Sequence, residues 1–223
     1  MAKKQAEAEP ESTGTEIMSV AERIAQRIAN IGTNVPASGS LRISVKGSKF
    51  RIPNGPTSSD PLNAIILDYT NSNAYYKEQF NEGDVAKPDC WSQHRTIGDM
   101  VPSSDVENPI NNNCKRCEFN KFGSKGRGKM CGNAVTLAII PVGFEEGDDI
   151  YTLKVAAKGL TAWSNYVREL GLKNIDPLLV ETSISFVEGT SFPQLKFRSL
   201  GPNKQLDECA ALVTKAEMLL PNS

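Results

Sequence analysis

Histidine is nearly absent: His94 is the only one in 223 residues. An imidazole base beside a nucleophile is therefore hard to assemble, and neither a G-x-S-x-G motif nor a paired-acid motif accompanies it, so a hydrolase is not expected. Long apolar runs are missing too. None approaches the about 20 residues a membrane-spanning helix needs, and Met1 to Glu11 has no apolar core of the kind a signal peptide carries. The expectation is a soluble, intracellular chain with no membrane partner, in a compartment where thiols stay reduced. An excess of one charge is lacking as well: 25 Lys and Arg stand against 26 Asp and Glu, for a net charge of −1. That balance argues against coating duplex DNA by bulk charge and leaves local concentration of charge as the route to a polyanion. Internal repeats are absent.

What is present is a cluster of cysteines. Cys90, Cys114, Cys117 and Cys131 follow the spacing C-x23-C-x2-C-x13-C, and a fifth, Cys209, falls in an expected helix as a small hydrophobe. Two thiolates separated by two residues form a knuckle that one metal ion can bridge, and two more complete a tetrahedral shell. The expected cofactor is a structural Zn²⁺ held by these four. His94 in place of Cys90 is the alternative fourth ligand. A closed shell of thiolates has no open position for water, and a zinc deaminase would also need H-x-E and P-C-x-x-C. Here Arg95 and Thr96 follow His94, and Asn113 precedes Cys114. Gly123 to Lys129 matches G-x4-G-K, but Met130 stands where a magnesium-binding hydroxyl is required and no buried strand precedes it. The expectation is a binder and not an enzyme.

Between Cys114 and Cys131 the chain carries Lys115, Arg116, Lys121, Lys125, Arg127 and Lys129 against one acid, Glu118, with Phe119 and Phe122 among them. Such a run can be no more than a solvated face. Cations interleaved with aromatics on a metal-ordered loop also suit a nucleic-acid contact surface. Tyr75 and Tyr76, just upstream, join the list as base-stacking platforms, one of them equally suited to the core.

Periodicity places these residues in a fold. Residues 1–16 are polar and acid-rich, which predicts disorder. Ile17, Val20, Ile24, Ile28 and Ile31 recur at helical spacing, predicting a helix over 17–35 that docks on the core or on a second copy. Alternation over Leu41 to Val45 and Phe50 to Ile52 predicts a hairpin. Strands follow at 62–69, 134–141, 150–155, 178–186 and 194–198, a helix from Thr161 to Gly171 and a terminal helix within 201–223. From residue 62 this is strand, long insertion, two strands, helix, two strands. The order is that of an OB-fold. The expected class is mainly β (α+β): a five-stranded OB-fold-like barrel built from 36–69 and 133–200. The zinc-binding insertion, 70–132, lies between its first two strands, and helices flank the barrel.

Pro88-Asp-Cys-Trp-Ser92, Cys114-x2-Cys117, Asn120-x-Phe122-Gly-Ser and Gly126-x-Gly-Lys129-x-Cys131 resemble a group of bacteriophage single-stranded-DNA-binding proteins with a zinc-ribbon-like insertion. Leu160 to Val167, Val180 to Phe186 and Phe192 to Phe197 are similar to that group's closing segment. The resemblance covers about residues 60–200, and the cysteine segment is its most specific part. It implies sequence-tolerant binding of single-stranded DNA in phage replication or recombination, in the cytoplasm of an infected bacterial cell. Replication or recombination proteins, or a second copy of the chain, are the further partners. The ending Leu-Leu-Pro-Asn-Ser lacks the acidic tail by which many bacterial single-strand binders recruit partner enzymes. The alternative reading is a zinc-stabilised interaction or structural component of a phage assembly.

Overall fold

The computed structural model describes residues 41–53, 55–78 and 87–220. The expected N-terminal tail and helix lie outside these residues. The first elements are β1 (Leu41–Lys46), β2 (Lys49–Arg51) and β3 (Thr57–Ser58). Gly47 and Ser48, with φ of 59° and 52°, turn β1 into β2. Positive φ at both central residues is the hairpin turn whose twist matches its strands, so the loop Lys-Gly-Ser-Lys sets this pairing.

β4 (Leu62–Tyr75) is the longest strand, and it is the axis of the molecule. Ala64 and Ile66 face one core while Ile65 and Leu67 face the other, so the strand is buried on both sides. A register shift between Ile66 and Asp68 interrupts its pairing with β6 (Gly132–Pro141). β7 (Tyr151–Ala156), β8 (Val180–Phe186) and β9 (Leu195–Pro202) complete the main path, and β5 (Cys90–His94) pairs with the far end of β4. Among the described residues the sheet has nine strands in the order β3-β2-β1-β7-β6-β4-β8-β9, with β5 beside β4. All described pairings are antiparallel except β1 with β7.

The fold is thus mainly β, a curled mixed sheet forming a half-barrel with two helices. Curling is visible in Phe50 on β2 and Phe186 on β8, which are far apart in strand order yet meet with ring centroids 4.4 Å apart. The concave side is filled by Leu137, Ile139, Leu153 and Val155 and covered by α1 (Leu160–Gly171). Trp163, Tyr166 and Leu170 recur at three- and four-residue steps and bury that helix face. Tyr69, Trp163, Tyr166 and Phe197 form one aromatic group, and Tyr166 shares a 2.7 Å hydrogen bond with Thr182. Trp163 and Tyr166 are core residues. Entry into α1 needs Gly159, because a Cβ there would meet the Val155 methyl at 2.9 Å. The convex side is covered by α2 (Leu206–Leu219), through Cys209, Ala216 and the following Leu220. No helix among the described residues is long and apolar enough to cross a membrane.

Two boundaries differ from expectation. The first barrel strand does not end at residue 69: Thr70 to Tyr75 continue it, and β5 forms inside the segment expected to be irregular. Thr70 to Asn73 are polar, so alternation of apolar side chains could not mark the extension. They hold strand form through backbone pairing with β5 and β6 on both sides. The sheet also holds more strands than the five expected of the barrel, since the β1–β2–β3 unit joins it by parallel pairing on β7.

Candidate functional site

At the end of β4 away from its apolar half, the chain leaves the sheet and returns to it through the cysteine segment. Cys90 opens β5, opposite Tyr75, and Cys131 immediately precedes β6. Cys114, Cys117 and Cys131 are buried and Cys90 is half-buried; with Met100 these sulfurs are most of the module's interior. Backbone bonds brace the turns: Cys114 N–H donates to Met100 O (3.1 Å), Asn120 N–H to Cys117 O (3.1 Å) and Cys131 N–H to Phe119 O (2.9 Å). Burial pushes the Cys131 thiol up to about 12, with Cys117, Cys114 and Cys90 adding to the rise. Burial also raises Cys90, with smaller contributions from Cys114 and Cys117. The four thiols therefore lie within electrostatic reach of one another. As the side chains stand, no three of the described His, Cys, Asp or Glu residues converge closely enough to hold a metal ion.

The donor chemistry nonetheless fits a thiophilic metal: four sulfurs and no carboxylate, enclosed in a module with almost no other core. His94, the alternative fourth ligand, lies four residues along β5 from Cys90, about 13 Å at strand rise, and its Nδ1 is 3.0 Å from both the amide nitrogen and the carbonyl oxygen of Thr96.

A polar network ties this module to the sheet. Asn120 Nδ2 donates to Cys114 O at 2.9 Å, and Asn133 Nδ2 donates to Asn120 Oδ1 at 3.0 Å and also to Asn73 Oδ1. Lys129 Nζ donates to Asn120 Oδ1 (3.1 Å) and Asn133 Oδ1 (2.9 Å). Phe119 packs on Tyr75, ring centroids 4.8 Å apart. Phe119 is thus a half-buried joint between module and β4, where the sequence suggested a free stacking surface.

Two clefts meet at this network. The first, about 930 Å³, has Tyr69, Asn71, Asn73, Asn133 and Val135 on its floor, with Trp163 and Arg168 of α1 on one wall. Its other wall brings Arg95, Lys115 and Lys129. The second, about 850 Å³, shares Lys129, Asn133 and Ala134 with the first and adds Tyr75, Tyr76, Lys77, Glu78, Lys125 and Lys154. A smaller hollow continues from Lys154 and Ala156 to Arg42 on β1. Among the described residues no acid lines the first cleft, and Glu78 is the one acid that lines the second. The Lys154 ammonium reaches solvent, yet desolvation first and the neighbouring Arg42 guanidinium second hold it below the usual lysine range. Two cations sharing a cleft floor favour an anion between them.

Of the residues singled out in the sequence, Tyr75, Tyr76, Lys115, Lys125 and Lys129 line the clefts. Arg116, Lys121, Phe122 and Arg127 are exposed, described residues that line neither. Arg42, Lys77, Arg95, Lys154 and Arg168 were missed. None belongs to a run of like charges in its own segment, and only the fold brings them together. Arg95 is also ion-paired with Asp68 of β4 and Glu217 of α2. Burial raises the Asp68 carboxyl above its ordinary range, outweighing the Tyr69 N–H and Arg95 that pull it down. With the folded value above the unfolded one, this group favours folding at acid pH, and that contribution fades as pH rises through the folded value. Asp68→Asn is therefore expected to gain stability relative to the parent between about pH 4 and pH 7. Thermal midpoints of both proteins across that range check it. Comparison with known protein families, with curated proteins and with solved structures returns no match for this chain.

Proposed function

We propose that the chain binds single-stranded DNA with little sequence preference, as a non-enzymatic component of phage replication or recombination. The observation that carries this reading is the run of clefts from Arg168 past Lys129 to Arg42. Its cations come from β1, β7, α1, the segments just after β4 and β5, and the cysteine module, with one acid among the described lining residues. A backbone of phosphates suits such a line of charge, and amides and aromatic rings on the floor suit exposed bases of any sequence.

In this reading β4, β6, β7, β8 and β9, with α1 between β7 and β8, are an OB-fold-like core. Their pairing order supports it: β4 lies between β6 and β8, β7 follows β6, and β9 follows β8. The place where an OB barrel closes through a parallel pair is taken here by β1 against β7. The cysteine module rises between the first two of these strands, beside the ligand-binding loops of such folds. Cys90, Cys114, Cys117 and Cys131 would hold a structural Zn²⁺, whose contribution is to order the segment. Asn120, Lys129 and Asn133 then relay that order to the cleft floor.

If about five of the cleft cations meet phosphates, log K falls with log salt at a slope of about −3.5, or about 100-fold in affinity between 50 and 200 mM salt. Fluorescence anisotropy with a labelled oligothymidine and a blunt duplex, at both salt concentrations, tests this. Binding that is equal for single strand and duplex, or absent at the lower salt, sinks the reading.

A further inference from the structure

Phe122 is the feature that the clefts leave over. At 78 % exposure it is the most exposed aromatic residue described, and it lies outside both clefts. The ring is held there by design of the backbone. Ser124 N–H donates to Lys121 O at 3.2 Å, closing a turn over Lys121 to Ser124. Gly123 has φ of +95° at its third position, as a type II turn requires. The following hairpin is pinned by Gly123 N–H to Gly128 O (2.8 Å) and Gly128 N–H to Lys125 O (2.9 Å). Ser124 Oγ donates to Lys121 O (2.8 Å) and accepts from Met130 N–H (2.9 Å). Phe122 occupies the second, projecting position of this braced turn. An apolar side chain free to fold back would not need such bracing.

The turn also adjoins the second cleft. Ser124 and Lys125 line the cleft rim, two and three residues beyond the ring. Lys121 and Arg127 are exposed on the same loop and likewise stand outside the cleft. A nucleic acid emerging past Lys125 would therefore meet an exposed aromatic ring, carried on a braced turn and flanked by cations outside the clefts.

We propose that Phe122 is a wedge for single-strand/double-strand junctions. One strand lies in the clefts, the ring stacks on the first base pair outside them, and Lys121 and Arg127 receive the duplex phosphates. Apolar side chains inserted at base steps unstack them in this way, and a base pair at a junction is already open on one face. The occupant is a nucleic-acid junction and not a protein because the ring's surroundings are cationic and continuous with the groove. This inference rests on the single-strand reading above and adds a substrate class to it.

The test uses the full chain and three probes: an oligothymidine, a duplex carrying that same tail at either end, and the blunt duplex, each measured by anisotropy. The first base pair of the tailed duplex carries 2-aminopurine. The parent is expected to bind the tailed duplex, in at least one tail polarity, about tenfold tighter than the tail alone. 2-Aminopurine emission should change on binding. Phe122→Ala should bring the tailed-to-single ratio to about one, and Phe122→Trp should keep it. The residue is exposed, so neither substitution disturbs a core. A ratio of one in the parent overturns the proposal and leaves the ring to a protein partner. A ratio unchanged by Phe122→Ala overturns it as well. Loss of binding to all three probes would instead bring down the single-strand reading itself, and this proposal with it.

Discussion

Cys117→Ser, or removal of metal by a chelator, is expected to lower single-strand affinity about 100-fold while leaving the half-barrel folded. The sheet and its two cores draw their buried side chains from β1, β2, β4, β6–β9, the segment between β6 and β7, and the helices with the Leu220 that follows, and none of the four clustered cysteines belongs to either core. The cysteine module has no such reserve. Its buried side chains are chiefly Cys114, Cys117, Cys131 and Met100. A structural zinc contributes on the order of 10 kcal/mol or more to the folding of a segment of this kind, whereas burying three thiols and a thioether contributes a few kcal/mol at most.

If the four cysteines hold zinc as proposed, loss of the metal is expected to loosen the module. Lys115, Lys125 and Lys129 then leave the cleft walls, and the bonds from Asn120 to Cys114 O and from Lys129 to Asn133 go with them. Three lost phosphate contacts and a disordered stacking surface together account for the two decades. Metal content, far-UV circular dichroism, thermal midpoint and affinity on one preparation decide the matter. Metal-free protein with full affinity would show that the module keeps its shape unaided.

What could be read in advance follows a physical line. The β1–β2 hairpin was legible because Leu41-Arg-Ile-Ser-Val alternates and because Gly47-Ser48 can adopt positive φ. α1 was legible because Trp163, Tyr166 and Leu170 fall on one face. Both signals come from burial on one side of a regular element. The extension of β4 through Thr70-Asn-Ser-Asn had no such signal, since hydrogen bonds and amide side chains fill the place that apolar packing has elsewhere. Pairing of β1 with β7 was equally invisible, because parallel contact between segments about 110 residues apart leaves no local trace. The same distinction divides the site. The cysteine spacing and the charged run are local patterns, and both fall in the segment that contributes Lys115, Lys125 and Lys129 to the clefts. They could not say that Lys129 is bound into an amide network, that Phe119 faces inward on Tyr75 while Phe122 faces out, or that α1 contributes Arg168 to a facing wall. Proximity across a sheet is decided by pairing order, and single charges on separate strands carry no spacing to read.

The second large effect separates charge in the groove from charge merely near it. Replacing Lys77, Lys125 and Lys154 together by Ala should reduce the salt slope of single-strand binding by about two and lower affinity about 100-fold at low salt, since each phosphate contact on a single strand is worth about 0.7 in slope. All three line the second cleft, just after β4, on the cysteine module and on β7, and none is required by the Asn120–Asn133 network. Lys154 should matter most. Desolvation and Arg42 already make its charge costly in the free protein, and a phosphate between the two relieves that cost on binding. The matched triple of Arg116, Lys121 and Arg127 removes the same formal charge from outside both clefts. If long-range potential alone drew the strand to the protein, the two triples would weaken binding alike, because they change net charge alike. If the strand lies in the clefts, only the first changes the slope by the full two. Titration from about 50 to 200 mM salt with both triples distinguishes these outcomes. Equal slopes would remove the groove from the account and leave a diffuse basic face in its place.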